Sequence, residues 1–555
     1  MNCNYLPSGD RMVLVEFPEE ISSHINSRVR RFSQLLEQRM LTAVQESLSA
    51  YRSLGVIYDP LKVSYDCLVA KLRVLEAELR ETSNRISRQI EIPVCYGGQF
   101  GPDLKFVAQF NHLPPDEVVK IHSSGEYVVH FLGFSPGFPY LGGMPVTIAT
   151  PRLETPRLHV PAGSVAIGGR QTGVYSADGP GGWRIIGRTP RPLFRPFDKA
   201  PFLMHSGDRV KFRPITASEY AYLSTIDAST KPSLEGRGRP VFLVKRPGIL
   251  TTIQDGGRVG FQRHGVPVCG AMDRHSMRLG NHLVGNSRGA PALEITVTGP
   301  ELQALAPCQI ALAGADLSAE LDGNDLPLWE NHWLRPGQTL SFGQRGWGVR
   351  SYLCVEGGFE GDEILGSCST DLTSRFGGFQ GRRLEKGDIL RLRTSPAASE
   401  AHASRRVSDG ALKIYTECRT LRVIAGPQID CFARTEIEKF YSNEFRISPN
   451  ANRMGYLLEG PKIAAQKAEI ISDPVPAGAL QVLPSGQVVL LMADHQTVGG
   501  YPKIAVVTTA DLPKAAQLNI GEKIQFQEVS LELAHQHLRE QEAEIDHGVM
   551  VQTMT

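Results

Sequence analysis

No two cysteines in these 555 residues form a CxxC pair. The nearest two of the nine, Cys418 and Cys431, stand 13 positions apart, which leaves a zinc site of the usual spacing without footing. No run of about 18 apolar residues occurs, and the start, MNCNYLPSGDRMVLVEF, has no basic stretch leading into a long apolar one. Neither a membrane-spanning helix nor a secretory signal is expected; the expectation is a cytoplasmic protein with reduced thiols and no metal. A net charge of +1 offers nucleic acid and membrane surfaces no general attraction. GGRQTG, Gly168 to Gly173, lacks the Lys-Ser/Thr ending of a phosphate-cradling loop, and GGRVG, Gly256 to Gly260, has the wrong spacing for a dinucleotide fingerprint. HExxH is missing as well. Any chemistry must use a less common constellation.

Glycine and proline are abundant: 55 and 37, spread along the chain. That favours a turn-rich β architecture. The length exceeds the ~250 to 300 residues at which one core stops growing, so three or four units are expected. Residues 1–92 read as strand, helix, two strands, helix, strand. Met12–Phe17 is the first strand; Ile21, Ile25, Val29, Phe32 and Leu36 form one helical face; Leu68, Leu72, Leu75 and Leu79 form another; Ile90–Val94 closes a ferredoxin-like order. Residues 93–216 read as a β-rich barrel, 217–240 as a linker, 241–420 and 421–530 as two further β-rich units, and 531–555 as a polar tail. The stretch from Ser395 to Gly410 is a second loop candidate. The fold class is thus α+β, mostly β.

One motif occurs twice. VPAGSV, Val160 to Val165, precedes Gln171-Thr172-Gly173 and Gly181-Gly182-Trp183. VPAGAL, Val475 to Leu480, precedes Gln496-Thr497 and Gly499-Gly500-Tyr501. The shared punctuation predicts one structural unit used twice. HFLGFSPGFPYLGG places His130 and Ser135 among glycines that let a ligand approach the backbone. From Arg152 to Arg195 stand seven arginines against two acids, Glu154 and Asp178, an excess suited to an anionic ligand. TTIQDGGRVGFQRHGVPVCGAMD gathers Gln254, Asp255, Arg258, His264 and Asp273 in one glycine-rich loop, and LMADHQTVGGYPKIA delivers Asp494, His495, Gln496 and Thr497 into another, with Lys503 just beyond. Glycine-rich loops rich in polar groups are good site candidates.

These runs together resemble a known group. GFSPGFPYLGGMP, TPRLHVPAGSVAIGGRQTGVY and PGGWRIIGRTP resemble the B-type subunit of the allophanate hydrolase and 5-oxoprolinase group. PGILTTIQDGGRVGFQRHGVPVCGAMDRHSMRLGNHLVGN, LEITVTGPEL, GSCSTDL, NRMGYLLEGP and ADHQTVGGYPKIAVVTTADLPKAAQL resemble its C-type subunit, the biotin-dependent carboxyltransferase-like part. The resemblance covers roughly residues 5 to 527 and reads as a natural fusion of B and C. It departs from the pattern at Ser176, Gly256 and Cys269, beside the motifs. It implies a ferredoxin-like N-terminal part and cyclophilin-like barrels, one in the B half and two in the C half, with the VPAG copies as equivalent corners of two of them.

The resemblance also implies a function: opening 5-oxo-L-proline to L-glutamate with a separate A-type subunit, ATP and Mg²⁺. The chain has no biotin-carrier part. In such a reaction Arg170 or Arg188 would clamp the substrate carboxylate, and Asp255, Asp494 or His130 would take a proton from water. Gln171, Ser135, Gln254, Arg258, Gln496, Thr497, Tyr501 and Lys503 would line the substrate, with N–H groups near Gly137, Gly182 and Gly500 facing the oxyanion. Two other readings follow from related B and C proteins: a regulatory partner of a histidine kinase, and a carboxyltransferase module of a urea-carboxylase-like system. A homo-oligomer is a further expectation.

Overall fold

In the computed structural model, residues 3–20, 22–79, 87–226, 236, 238–394, 404–416 and 419–552 are described. The first helix, Ser23–Arg39, starts where Ser22 Oγ accepts the Ile25 N–H at 3.2 Å and stops at Met40, which turns left-handed at φ 44°. Ile25, Val29, Phe32 and Leu36 are buried on one face, as their spacing predicts; Ile21 lies outside the described residues. The second helix, Tyr65–Ala77, is capped by Ser64 and buries Leu68, Leu72 and Leu75, with Leu79 packed against the same core.

These helices cover a four-stranded antiparallel sheet whose order differs from the ferredoxin-like expectation. Asn4–Pro7 forms the edge beside Met12–Glu16, followed by Ser53–Tyr58 and Val44–Ser49. Ile90–Val94, expected there, belongs to the strand Gln89–Tyr96, which pairs in parallel with Arg209–Pro214 in the next unit. The edge was already filled by the N-terminal strand. Ile92 and Val94 are instead fully buried in the barrel core.

That next unit is a closed barrel of seven strands, and a second closed barrel of seven lies near the C-terminal end. Around the first ring run Gln171–Val174, Pro139–Gly142, Tyr127–Leu132, Arg209–Pro214, Gln89–Tyr96, Arg184–Arg188 and Ser164–Gly168. Around the second run Val488–Leu491, Gly455–Glu459, Phe445–Ile447, Lys523–Glu528, Thr420–Ala425, Lys503–Val507 and Ala479–Val482. Numbered from each barrel's own first strand, the two rings have the same order. In both, the first and last strands pair in parallel.

The VPAG turn is an equivalent corner of the two barrels. Gly163 and Gly478 both sit at φ 82°, a conformation that favours glycine. Gly163 N–H donates to Tyr175 O at 2.7 Å and its carbonyl accepts from Thr189 N at 2.9 Å; Gly478 donates to Leu491 O at 2.8 Å and accepts from Val507 N at 2.8 Å. Each corner is preceded by a short strand that pairs with the glycine pair, Arg157–Val160 with Gly179–Gly181 and Asp473–Pro474 with Val498–Gly499. The Gln-Thr pairs do not correspond. Gln171-Thr172 begins a barrel strand, whereas Gln496-Thr497 lies in the loop after the equivalent strand. Spacing alone could not reveal this, because the second loop is longer.

Between the barrels, the strands from Pro240 to Arg391 form a six-stranded and a five-stranded sheet that share one core, rather than a closed barrel. The long neighbours Cys308–Asp316 and Trp347–Val355 are buried on both faces. Ile310, Leu312, Leu353 and Val355 face the partner sheet, while Ala311 and Cys354 face the helix Arg274–Leu283. Gly280 permits that close approach, since a Cβ there would meet Cys354 Sγ at 2.8 Å.

The polar tail contains a helix, Leu531–His547, that buries Ala534, His535, Leu538, Gln541 and Ile545. His535 Nε2 donates to the Asp10 carbonyl at 2.9 Å, and Gln541 Nε2 to Ala510 O at 3.1 Å, so the helix fastens the N-terminal sheet to the last barrel. Among the described residues no helix is long and apolar enough to cross a membrane.

Candidate functional site: a cavity at the seam of the two halves

A cavity of about 370 Å³ opens where the N-terminal sheet meets the second half, within the usual range for small-ligand sites. Ser8 to Met12 form one wall, the loop and helix from Gly256 to Arg278 another, and Pro476-Ala477 of the second VPAG corner, Met492 to His495 and the C-terminal helix complete it. Most of the lining is apolar, with Met12, Ile57, Val268, Met272, Met277, Met492, Val506 and Leu538 among it.

Arg274 is the first residue of its helix. The preceding Asp273 caps that helix, accepting Ser276 N at 2.9 Å, Ser276 Oγ at 2.6 Å, Tyr415 Oη at 2.7 Å and Gln517 Nε2 at 2.7 Å. This web fixes where the Arg274 side chain leaves the backbone. Arg274 is exposed and lines the cavity. Arg278 is neutralised by Glu542 through two bonds of 2.6 and 2.5 Å, Arg288 by Asp546 and Glu542, and Arg11 stands 3.7 Å from Asp59. Arg274 has no hydrogen-bond or ion-pair partner among the described residues.

His495 also lines the cavity. Its Nδ1 lies 2.7 Å from the Gln496 carbonyl, which can only accept, so Nδ1 carries the proton. Burial lowers the affinity of the ring for a second proton. The neutral ring therefore has a bare Nε2 as its acceptor. The acids at the rim are engaged: Asp10 accepts Thr509 N at 2.9 Å and Thr509 Oγ1 at 2.7 Å, and Glu46 accepts Arg263 N at 3.0 Å. Burial pushes Glu46 up to about 7.

The residues singled out in the sequence fall elsewhere. Asp255 is saturated: Oδ1 accepts Gly257 N at 2.8 Å, Ser367 Oγ at 2.7 Å and Ser369 Oγ at 2.6 Å, and Oδ2 accepts Cys368 N at 2.6 Å. Arg258 is fully buried and ties down the same segment through the Ile364, Ser367 and Ser369 carbonyls, and Gln254 Nε2 donates to Thr370 O at 3.2 Å. The three hold the GSCS loop in place. Asp494 is gripped by Arg453. Lys503 is fully buried against Asp473 at 3.3 Å, and Asp473 also accepts Ser53 Oγ from the N-terminal sheet. These geometries put structural duties where a proton acceptor or substrate contact was expected.

On the B side, Arg170 is exposed at the hairpin tip, and Arg188 Nε donates to Ala162 O at 2.8 Å inside the first VPAG corner. Ser135 bonds Ser176 at 2.9 Å. The Gly137 N–H is taken by the His264 carbonyl at 2.8 Å, a contact that crosses the seam. His130 is buried, its two ring nitrogens without hydrogen-bond partners among the described residues, and burial then Arg30 hold it down to about 4. Gln171 Oε1 and Thr497 Oγ1 are likewise unpartnered. Gln496 Nε2 reaches Gln481 Oε1 at 3.4 Å, and Tyr501 contributes its carbonyl to Gln481. Arg170 and Asp494 do not meet in one crevice: the first faces outward and the second is sealed by Arg453.

Two family models match the chain. Residues 3–204 fit the carboxyltransferase domain, subdomain C and D, and residues 264–528 the carboxyltransferase domain, subdomain A and B. The first part is 46% identical over 222 residues to the B-type 5-oxoprolinase subunit of Bacillus subtilis, spanning 38% of this chain and 92% of that protein. The second is 39% identical over 294 residues to the C-type 5-oxoprolinase subunit of Escherichia coli K12, spanning 52% of this chain and 91% of that protein.

The chain belongs to the family of the B-type and C-type 5-oxoprolinase subunits, with both parts on one polypeptide.

The crystal structure of TTHA0988 has the same arrangement, with 34% identity, a TM-score of 0.80, and coverage of 93% of this chain and 99% of that one. The seam cavity lies between the two family parts, so neither part encloses it alone. Sequence reasoning placed His495 within a motif but did not select it, and passed over Arg274, Arg11 and Glu46. A usable signal existed for Arg274: a charged residue directly after a helix-capping Asp, in a segment whose helix is otherwise buried. Arg11 and Glu46 carry no such mark, since they reach the cavity only through packing of the two halves.

Proposed function

We propose that this chain is the B/C component of an ATP-dependent 5-oxoprolinase, opening 5-oxo-L-proline to L-glutamate together with a separate A-type subunit. The observation that carries this reading is the seam cavity, built from both family parts and lined by a guanidinium, Arg274, that has no direct partner among the described residues. A lactam acid brings a carboxylate for such a cation and an apolar ring for the methionine-rich wall. The family's reaction consumes ATP with Mg²⁺. The cavity residues do not fit that group, because a triphosphate carries several negative charges and, among the described residues, only Arg274 of the lining cations lacks a hydrogen-bond or ion-pair partner. ATP therefore enters the proposal through the assembled complex. Purified chain mixed with an A-type subunit, ATP, Mg²⁺ and 5-oxo-L-proline should release glutamate that neither component releases alone. Absence of glutamate from a mixture in which the two proteins associate would overturn the reading.

A second reading is favoured by the carboxyltransferase description of both family models: a module receiving a carboxyl group from a separate biotin carrier. It predicts activity on urea or a similar amide that stops when avidin is added.

A further inference from the structure

Three features of the seam cavity describe a ligand. Arg274 lines the cavity as a cation with no hydrogen-bond or ion-pair partner among the described residues, free to pair with an anion. His495 can offer only the acceptor Nε2, its Nδ1 being committed to Gln496. The remaining wall is dominated by Met272, Met277, Met492 and Val506. The other charged groups at the cavity, Asp10, Glu46, Glu542, Arg11, Arg278 and Arg288, face partners of their own, and His275 Nε2 faces the Ala411 carbonyl at 2.9 Å. Gly257 allows Arg274 to pack close, since a Cβ there would stand 3.2 Å from its Nη2.

We infer that the seam cavity is the substrate-recognition site: Arg274 pairs with the carboxylate of a small cyclic acid, His495 Nε2 accepts its lactam N–H, and the methionine wall takes the ring. The ligand class follows from the cation, the acceptor and the apolar wall; the choice of 5-oxoproline within it rests on the proposed 5-oxoprolinase function. Because the N-terminal sheet and the second half both contribute walls, a B part without its C part lacks the site.

Titration calorimetry of the whole chain tests this with three ligands. These are 5-oxo-L-proline, 2-pyrrolidinone, which lacks the carboxylate, and 5-oxotetrahydrofuran-2-carboxylate, which lacks the N–H. Removing the carboxylate should weaken binding by about 10- to 100-fold, and removing the N–H by about 3- to 10-fold. Arg274→Gln should bind 5-oxo-L-proline no better than the wild type binds 2-pyrrolidinone, while its own affinity for 2-pyrrolidinone stays unchanged. His495→Leu should erase the preference for lactam over lactone, and His495→Gln should restore part of it. Thermal melting checks folding, with Arg274→Lys as the fallback variant. If the isolated chain binds none of the ligands, the same comparisons are made on KM in the assembled complex. Wild-type affinity or KM in Arg274→Gln overturns the site. Arg274-dependent binding without glutamate formation leaves the site standing and removes the 5-oxoprolinase function.

Discussion

Arg453 Nε and Nη2 hold the two carboxylate oxygens of Asp494 at 2.9 and 2.8 Å, with both residues buried. The same guanidinium bonds Glu294 and the Gly270 carbonyl at 2.7 Å, joining the central sheets, the glycine-rich loop and the last barrel. Removing one partner of a buried pair strands the other charge. Arg453→Leu should therefore lower unfolding free energy by about 3–5 kcal/mol in denaturant titration. Asp494→Asn should also act on stability, with substrate affinity retained in whatever fraction remains folded.

Asp255 is a second keystone. Its four acceptor contacts fix Gly257 and the Ser367 to Ser369 segment. Asp255→Asn turns one acceptor oxygen into a donor facing other donors, an expected cost of about 2–3 kcal/mol. A double-mutant cycle with Ser369→Ala should show strong coupling between the sites; additive effects would contradict the network.

Glu46 gives a pH signature at the seam. Its carboxyl is raised from the ordinary 4.5 to about 7 by burial, so between those values the folded chain keeps a proton that the unfolded chain has lost. Stability then falls as pH rises from about 4.5 to about 7 and levels off above. Glu46→Gln still accepts the Arg263 N–H and should flatten that slope, which chemical denaturation at pH 5 and pH 8 will read.

His264 acts in the opposite sense. Its ring stacks on Phe202 at 4.2 Å, and burial, with Arg263 nearby, lowers it to about 3 from 6.5. The unfolded chain takes up the proton first as pH falls below 6.5, so stability is present above that value and lost below it. His264→Phe, which keeps the stack, should lessen the loss at pH 5 by about 2 kcal/mol.

The two VPAG corners offer a matched pair. An added Cβ at Gly163 would run into the Thr189 carbonyl, and one at Gly478 would stand 2.7 Å from the Val507 carbonyl. Each alanine must also adopt a left-handed φ. Gly163→Ala and Gly478→Ala should each cost about 1–3 kcal/mol, with additive loss in the double variant because they serve separate barrels.

Much of the local structure was legible from side-chain spacing. The Ile25, Val29, Phe32, Leu36 stripe, the capped helix after Asp273 and the repeated VPAG turn each depend on contacts within a few residues or on a φ that favours glycine. Strand partnership was harder to read. Ile90–Val94 has the same apolar pattern in a ferredoxin-like sheet or in a barrel, and the presence of Asn4–Pro7 at the sheet edge decided between them. The site was the least legible. Asp255, Asp494 and Lys503 look reactive in a string of letters, but a buried carboxylate or ammonium must be satisfied, and in each case a distant residue satisfies it. Arg274 and His495 look ordinary in sequence and differ only in what the fold leaves unpaired. The sequence alone determined the turns, the helix faces and the family, because those are written in neighbouring residues. Tertiary packing decided which charges find a partner, because counter-ions arrive from segments tens to hundreds of residues apart.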